Sequence, residues 1–128
     1  MASVSPHPYR IALDRRDGQA LVESLHPDVS FYTPAFPEPI HGRDNVLALF
    51  AALASVFEEP EIVDELAGEG THAIVVRLSV EGHPIDAVDY LELDDEGLVR
   101  RITVMMRPLS SVRVLAERMR ETIAALTG

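Results

Sequence analysis

The chain has 128 residues, 47% hydrophobic and 25% charged, with a formal net charge of -10 and no cysteine. That length suits one domain with its own core, expected over residues 1–128. The charge repels a nucleic-acid backbone or an anionic membrane, and the missing cysteines exclude disulfides, zinc–thiolate sites and thiol nucleophiles.

The N-terminal MASVSPHPYR lacks the apolar stretch of a signal peptide. No apolar run approaches the ~20 residues of a membrane-spanning helix, so a cytoplasmic protein is expected. Pro8 suits the first turn of a helix, where its missing N–H would have no partner anyway. Tyr9, Ala12, Leu13 and Arg16 continue that helix to Asp17 and Gly18. Asp17 then caps a second helix running to Leu25, with Ala20, Leu21 and Leu25 inward. His7 and His26 read as loop residues, His26 to Asp28 as a turn, and Val29 to Thr33 as a short strand.

A loop stiffened by Pro34, Pro37 and Pro39 follows, and it is expected to frame the mouth of an apolar pocket. The next helix starts near Asp44. Its Val46, Leu49, Phe50, Leu53 and Phe57 recur at helical spacing, and Pro60 marks its end. Strands are expected near residues 61–67, 72–80, 84–93 and 98–107, turning at GEG, EG and DDEG. Pro108 and Ser110 open a last helix with Val112, Leu115, Ala116, Met119, Ile123 and Leu126 in one stripe. The order gives an α+β fold, with helices on one face of a curved antiparallel sheet.

A two-residue turn at Glu81 and Gly82 pairs Leu78 with Ile85, Val76 with Ala87 and Ile74 with Asp89. One face then carries His72, Ile74, Val76, Leu78, Ile85, Ala87, Asp89 and Leu91, continued by Ile102, Val104 and Met106. Asp89 is the one carboxylate on this wall. The other face carries Val75, Arg77, Asp86, Val88, Tyr90, Thr103, Met105 and Arg107, with Arg77 opposite Asp86 as a cross-strand ion pair. Val75, Val88, Tyr90 and Met105 are too apolar for a face left in water, so a homodimer through this face is expected. Val99 and Ile102 cannot share a face in a regular strand, which predicts a bulge near Arg100 and Arg101.

Two short helices, PIHGRDNVLALF, DAVDYLELDDEG and MMRP before a last helix together resemble the NTF2-like superfamily, including its SnoaL-like branch. The resemblance covers nearly the whole chain. It implies a cone: a curved sheet with helices packed on its concave face around a pocket. Within the superfamily the chain resembles the ketosteroid isomerases from Tyr9 through PIHGRD and again through DYLELDDEG. That resemblance implies Tyr9 and Asp89 as catalytic residues and puts Thr33 where those enzymes carry their carboxylate base. Threonine cannot take up and return a proton at neutral pH as a carboxylate does.

Independently of family, a carboxyl on an apolar wall loses hydration and favours its neutral form. Two donors converging in a dry site suit a carbonyl or a developing enolate, and ketosteroid isomerase is a standard example of a protonated aspartic acid in that role. Thr33, Phe31, Leu53, Phe57, His72, Ile74, Val76, Ala87, Val104 and Met106 are the expected ligand-lining residues. His41 and Glu38 beside the mouth loop are alternative bases or plain loop residues. The five histidines lack metal-ligand spacing, Asp94, Asp95 and Glu96 form a solvated turn, and neither metal nor cofactor is expected. Three functions fit: an isomerase or lyase acting on a small hydrophobic carbonyl compound, polyketide- or steroid-like; a non-catalytic binder of a hydrophobic ligand; or a dimerising module whose pocket is filled by its own side chains.

Overall fold

The computed structural model describes residues 4–127, with side chains through residue 124. Helix α1 (Pro8–Arg15) begins on the proline and ends at Arg16, whose left-handed backbone (φ 52°) turns its N–H back to the carbonyls of Ala12 and Leu13. Asp17 accepts the Ala20 N–H at 3.1 Å and so caps α2 (Gly18–Ser24). Strand β1 (Leu25–Tyr32) is longer than expected. His26 to Asp28 belong to it as a bulge, since the register against β6 (Val99–Arg107) shifts between Leu25 and Ser30.

After the proline loop, a short β2 (Ile40–His41) pairs with β1. Gly42, at φ 90°, then turns the chain into α3 (Arg43–Val56), a backbone angle that a Cβ-bearing residue would strain. Val46, Leu49 and Leu53 are buried, while Phe57 is the half-buried C-cap. Pro60 falls inside β3 (Glu58–Gly68), an edge strand, where its missing donor is tolerated. Strands β4 (Thr71–Val80) and β5 (His83–Leu93) form the expected hairpin, with Leu78, Val76 and Ile74 opposite Ile85, Ala87 and Asp89.

The sheet order is β2-β1-β6-β5-β4-β3. The meander β3 to β6 is antiparallel as expected, but β1 runs parallel to β6, so the curved, unclosed sheet is mixed. The β5–β6 register shifts after Glu92, leaving Arg100 as the extra residue; Val99 and Ile102 are thereby both buried.

Helix α4 (Leu109–Thr127) packs on β4, β5 and β6, and α3 packs on β1 and α4. Val112, Leu115 and Met119 are buried and Ala116 and Ile123 half-buried; the side chain of Leu126 lies outside the described residues. The core between helices and sheet contains Ile74, Val76, Ala87, Leu91, Ile102 and Val104, all from the expected inner face. On the opposite face Tyr90 and Met105 are exposed, and Asp86 bridges Arg77 at 3.6 Å and Arg107 at 2.9 Å. Among the described residues, no helix is long and apolar enough to cross a membrane.

Candidate functional site

Tyr9 and Asp89 meet inside the cone. The register puts Asp89 between Ile74 of β4 and Val104 of β6, both buried, and Tyr9 of α1 reaches Asp89 with its hydroxyl. The Tyr9 hydroxyl donates to Asp89 Oδ2 at 3.4 Å, a long hydrogen bond. Tyr9 is 1% exposed. Its ring meets Phe50 edge-on at 6.2 Å, and Phe50 meets Phe31 at 5.3 Å, so three aromatic rings fix the hydroxyl's direction.

Asp89 keeps some solvent contact, yet its carboxyl stands among apolar neighbours. Burial pushes its pKa up to about 6, and the Tyr9 hydrogen bond, which favours the ionised form, offsets only part of that. Burial, and next the adjacent Asp89 charge, hold the Tyr9 phenol well above its ordinary range, so it stays a donor. Below pH 6 the carboxyl holds its proton and the pair can present two donors; above it the ionised carboxyl accepts from the phenol.

The expected lining residues fall into three groups. Phe31, Leu53, Ile74, Val76, Ala87 and Val104 are buried in the core, and Phe57 and Met106 pack half-buried against it. Thr33 is half-buried in the loop after β1, and its Oγ1 accepts the Ala35 N–H at 3.3 Å, an engagement that ties the hydroxyl to the loop backbone. His72 is half-buried with Nδ1 2.7 Å from Glu65 Oε2. Of the alternative bases, Glu38 is exposed, and His41 is exposed with Nδ1 2.8 Å from Ser30 Oγ.

Two of the clefts on the described surface are lined by none of Tyr9, Thr33 and Asp89. One of about 240 Å³ lies where the mouth loop (Ala35, Phe36, Pro37) faces Ala116, Arg120 and Ile123 of α4. The other, about 350 Å³, is lined by His26, Pro27 and the Asp94–Glu96 turn, where Asp94 Oδ1 accepts the N–H groups of Glu96 and Leu98. Among the described residues, no group of three or more His, Asp or Glu side chains is placed to hold a metal ion.

Two buried titratable residues, His7 and Glu65, escaped the sequence reading. His7 is not a loop histidine: it is 6% exposed and caps α1, its Nδ1 accepting the Tyr9 N–H at 3.0 Å. Glu65 is buried because the β3 register shifts between Ile62 and Asp64, making Val63 the extra residue. That bulge reverses the alternation, turning Glu65 inward opposite Ile74 and leaving Leu66 52% exposed. Alternation along the strand carries no signal of this. For His7 the flanking Pro8 was a signal, because a residue just ahead of a helix-starting proline occupies the N-cap.

Comparison with known proteins matches the sequence to a family and the fold to solved structures. A family model described as the SnoaL-like domain matches residues 8–107. No curated protein matches the chain. A steroid delta-isomerase from Pseudomonas aeruginosa superposes with a TM-score of 0.85 at 26% identity, covering 93% of this chain and 88% of that one. A bacterial protein with a cystatin-like fold from Silicibacter pomeroyi gives 0.84 at 24% identity, over 91% and 83% of the two chains. An NTF2-like protein from Burkholderia xenovorans gives 0.68 at 16% identity, over 84% and 89%.

Proposed function

From the chain's membership of the SnoaL-like domain family, which is NTF2-like in fold, we propose that it holds a small hydrophobic carbonyl compound, polyketide- or steroid-like, for isomerase- or lyase-type chemistry. The observation that carries the reading is the Tyr9–Asp89 pair, 3.4 Å apart on an apolar inner wall, which offers two donors while Asp89 holds its proton. A carbonyl oxygen that displaced their mutual bond would receive both. Negative charge building on that oxygen as a neighbouring C–H loses its proton is then stabilised where water cannot compete. Similarity to the steroid delta-isomerase supports the substrate class.

A second reading, reversible binding without chemistry, is favoured by Thr33. A residue with no titratable group occupies the position that the ketosteroid isomerase resemblance gives to the base, and its hydroxyl is bonded to the loop. Turnover of a hydrophobic β,γ-unsaturated ketone, followed by the absorbance of its conjugated product, separates the two. Isomerase chemistry predicts turnover that drops at least ~10-fold in Asp89→Asn. Saturable ligand binding with no turnover in the unaltered protein favours the binder.

The outer sheet face supports a homodimer. Tyr90 and Met105 are exposed there beside the Arg77–Asp86–Arg107 ion pairs, an apolar surface with a polar rim.

A further inference from the structure

What holds Tyr9 in place lies outside its contact with Asp89. Residue 7 stands between two prolines, and a residue preceding proline is kept extended; His7 has φ -67° and ψ 146°. Its imidazole Nδ1 accepts the backbone N–H of Tyr9 at 3.0 Å, so that nitrogen carries no proton. Nε2 must then carry it and donates to the Gly97 carbonyl at 2.8 Å, in the turn between β5 and β6. Burial lowers the basicity of His7, in keeping with a neutral ring.

The backbone N–H of His7 donates to Glu65 Oε2 at 3.0 Å. The same oxygen lies 2.7 Å from His72 Nδ1, and the Arg10 guanidinium stands 3.7 Å from Oε1. One buried carboxylate on β3 therefore accepts from the His7 N–H and stands within ion-pair range of Arg10, with Tyr9 between them. A serine or asparagine is enough to cap a helix. An imidazole also reaches the β5–β6 turn, so that His7 ties the start of α1 to that turn as well as to β3.

We propose that His7 is a positioning residue for Tyr9, locked by Glu65 and by the Gly97 carbonyl, so that the N-cap of α1 sets the reach of the Tyr9 hydroxyl to Asp89. Its functional meaning rests on the reading of Tyr9 and Asp89 as the ligand-facing pair, but its test does not use turnover. Carbon-13 NMR of the Asp89 carboxyl, titrated with pH, reads the contact directly. Tyr9→Phe removes a donor that favours the ionised form and raises the midpoint. His7→Ala is expected to raise it too, and to add nothing in the Tyr9→Phe background. His7→Asn, whose amide oxygen can accept the Tyr9 N–H, is expected to bring the midpoint back toward that of the unaltered protein.

An unchanged or lowered midpoint in His7→Ala, or an equal shift in both backgrounds, overturns the proposal. Where His7→Ala does not fold, His7→Gln, polar but too long to cap, takes its place and the same outcomes decide. A non-additive cycle in a protein whose Asp89→Asn variant turns over and binds ketones unchanged would keep the positioning and discard the function. The reverse pattern would discard the positioning alone.

Discussion

Replacing Asp89 by Asn should stabilise the protein, and by an amount that depends on pH. The folded carboxyl titrates at about 6 against an ordinary value of 3.8. Below pH 4 it is neutral in both folded and unfolded chains, and Asn is a close match in shape and polarity. Between pH 4 and 6 the unfolded chain has released the proton and the folded one retains it, so stability falls by about 1.4 kcal/mol per pH unit. Above pH 6 both are ionised and the loss levels off. The accumulated difference is about 2–3 kcal/mol, the lower figure allowing for the carboxyl's residual water contact. Urea unfolding of both proteins at fixed concentration from pH 4 to 8 measures it, and titrations common to the two, including His7, cancel in the difference. The variant should match the parent near pH 4 and exceed it by that amount from pH 7 upward. A difference that ignores pH would refute burial as the cause.

Glu65→Ala strands the buried His7 N–H and takes one of two ion-pair partners from half-buried Arg10, and should lower stability by about 1–3 kcal/mol, read from the same unfolding curves; no measurable loss would mean that water already serves the N–H. Thr33→Asp puts a carboxylate beside the mouth loop and should raise turnover of a β,γ-unsaturated ketone by about 10²–10⁴-fold; no gain in a folded variant would mean that the cavity's shape, as well as its base, has diverged. Met105→Glu places a charge on the exposed apolar face and should convert a dimer into a monomer in sedimentation at micromolar concentration. A parent already monomeric there would remove the homodimer.

The inner wall was legible because the β4–β5 hairpin is regular: a two-residue turn and unbroken alternation bring Ile74 to Asp89 without error. The bulge at Arg100 was legible for the opposite reason, since Val99 and Ile102 are both apolar and could be buried together only if a residue were skipped. Val63 gave no such warning. Its bulge exposes Leu66 and buries Glu65, so the composition of β3 points the wrong way. The parallel pairing of β1 with β6 is a long-range choice of partner that local periodicity does not encode. His26 to Asp28 look like a turn because proline and aspartate favour one, and the chain accommodates them as a bulge within β1.

The most direct test of the account is the carbonyl carbon-13 resonance of a labelled cyclic ketone bound to the protein. Below pH 6, where Asp89 holds its proton and can donate alongside Tyr9, the bound carbonyl should resonate well downfield of its position in an apolar solvent, and Tyr9→Phe and Asp89→Asn should each move it back. A bound ketone whose resonance ignores both substitutions would place its oxygen elsewhere and contradict the carbonyl-polarising site.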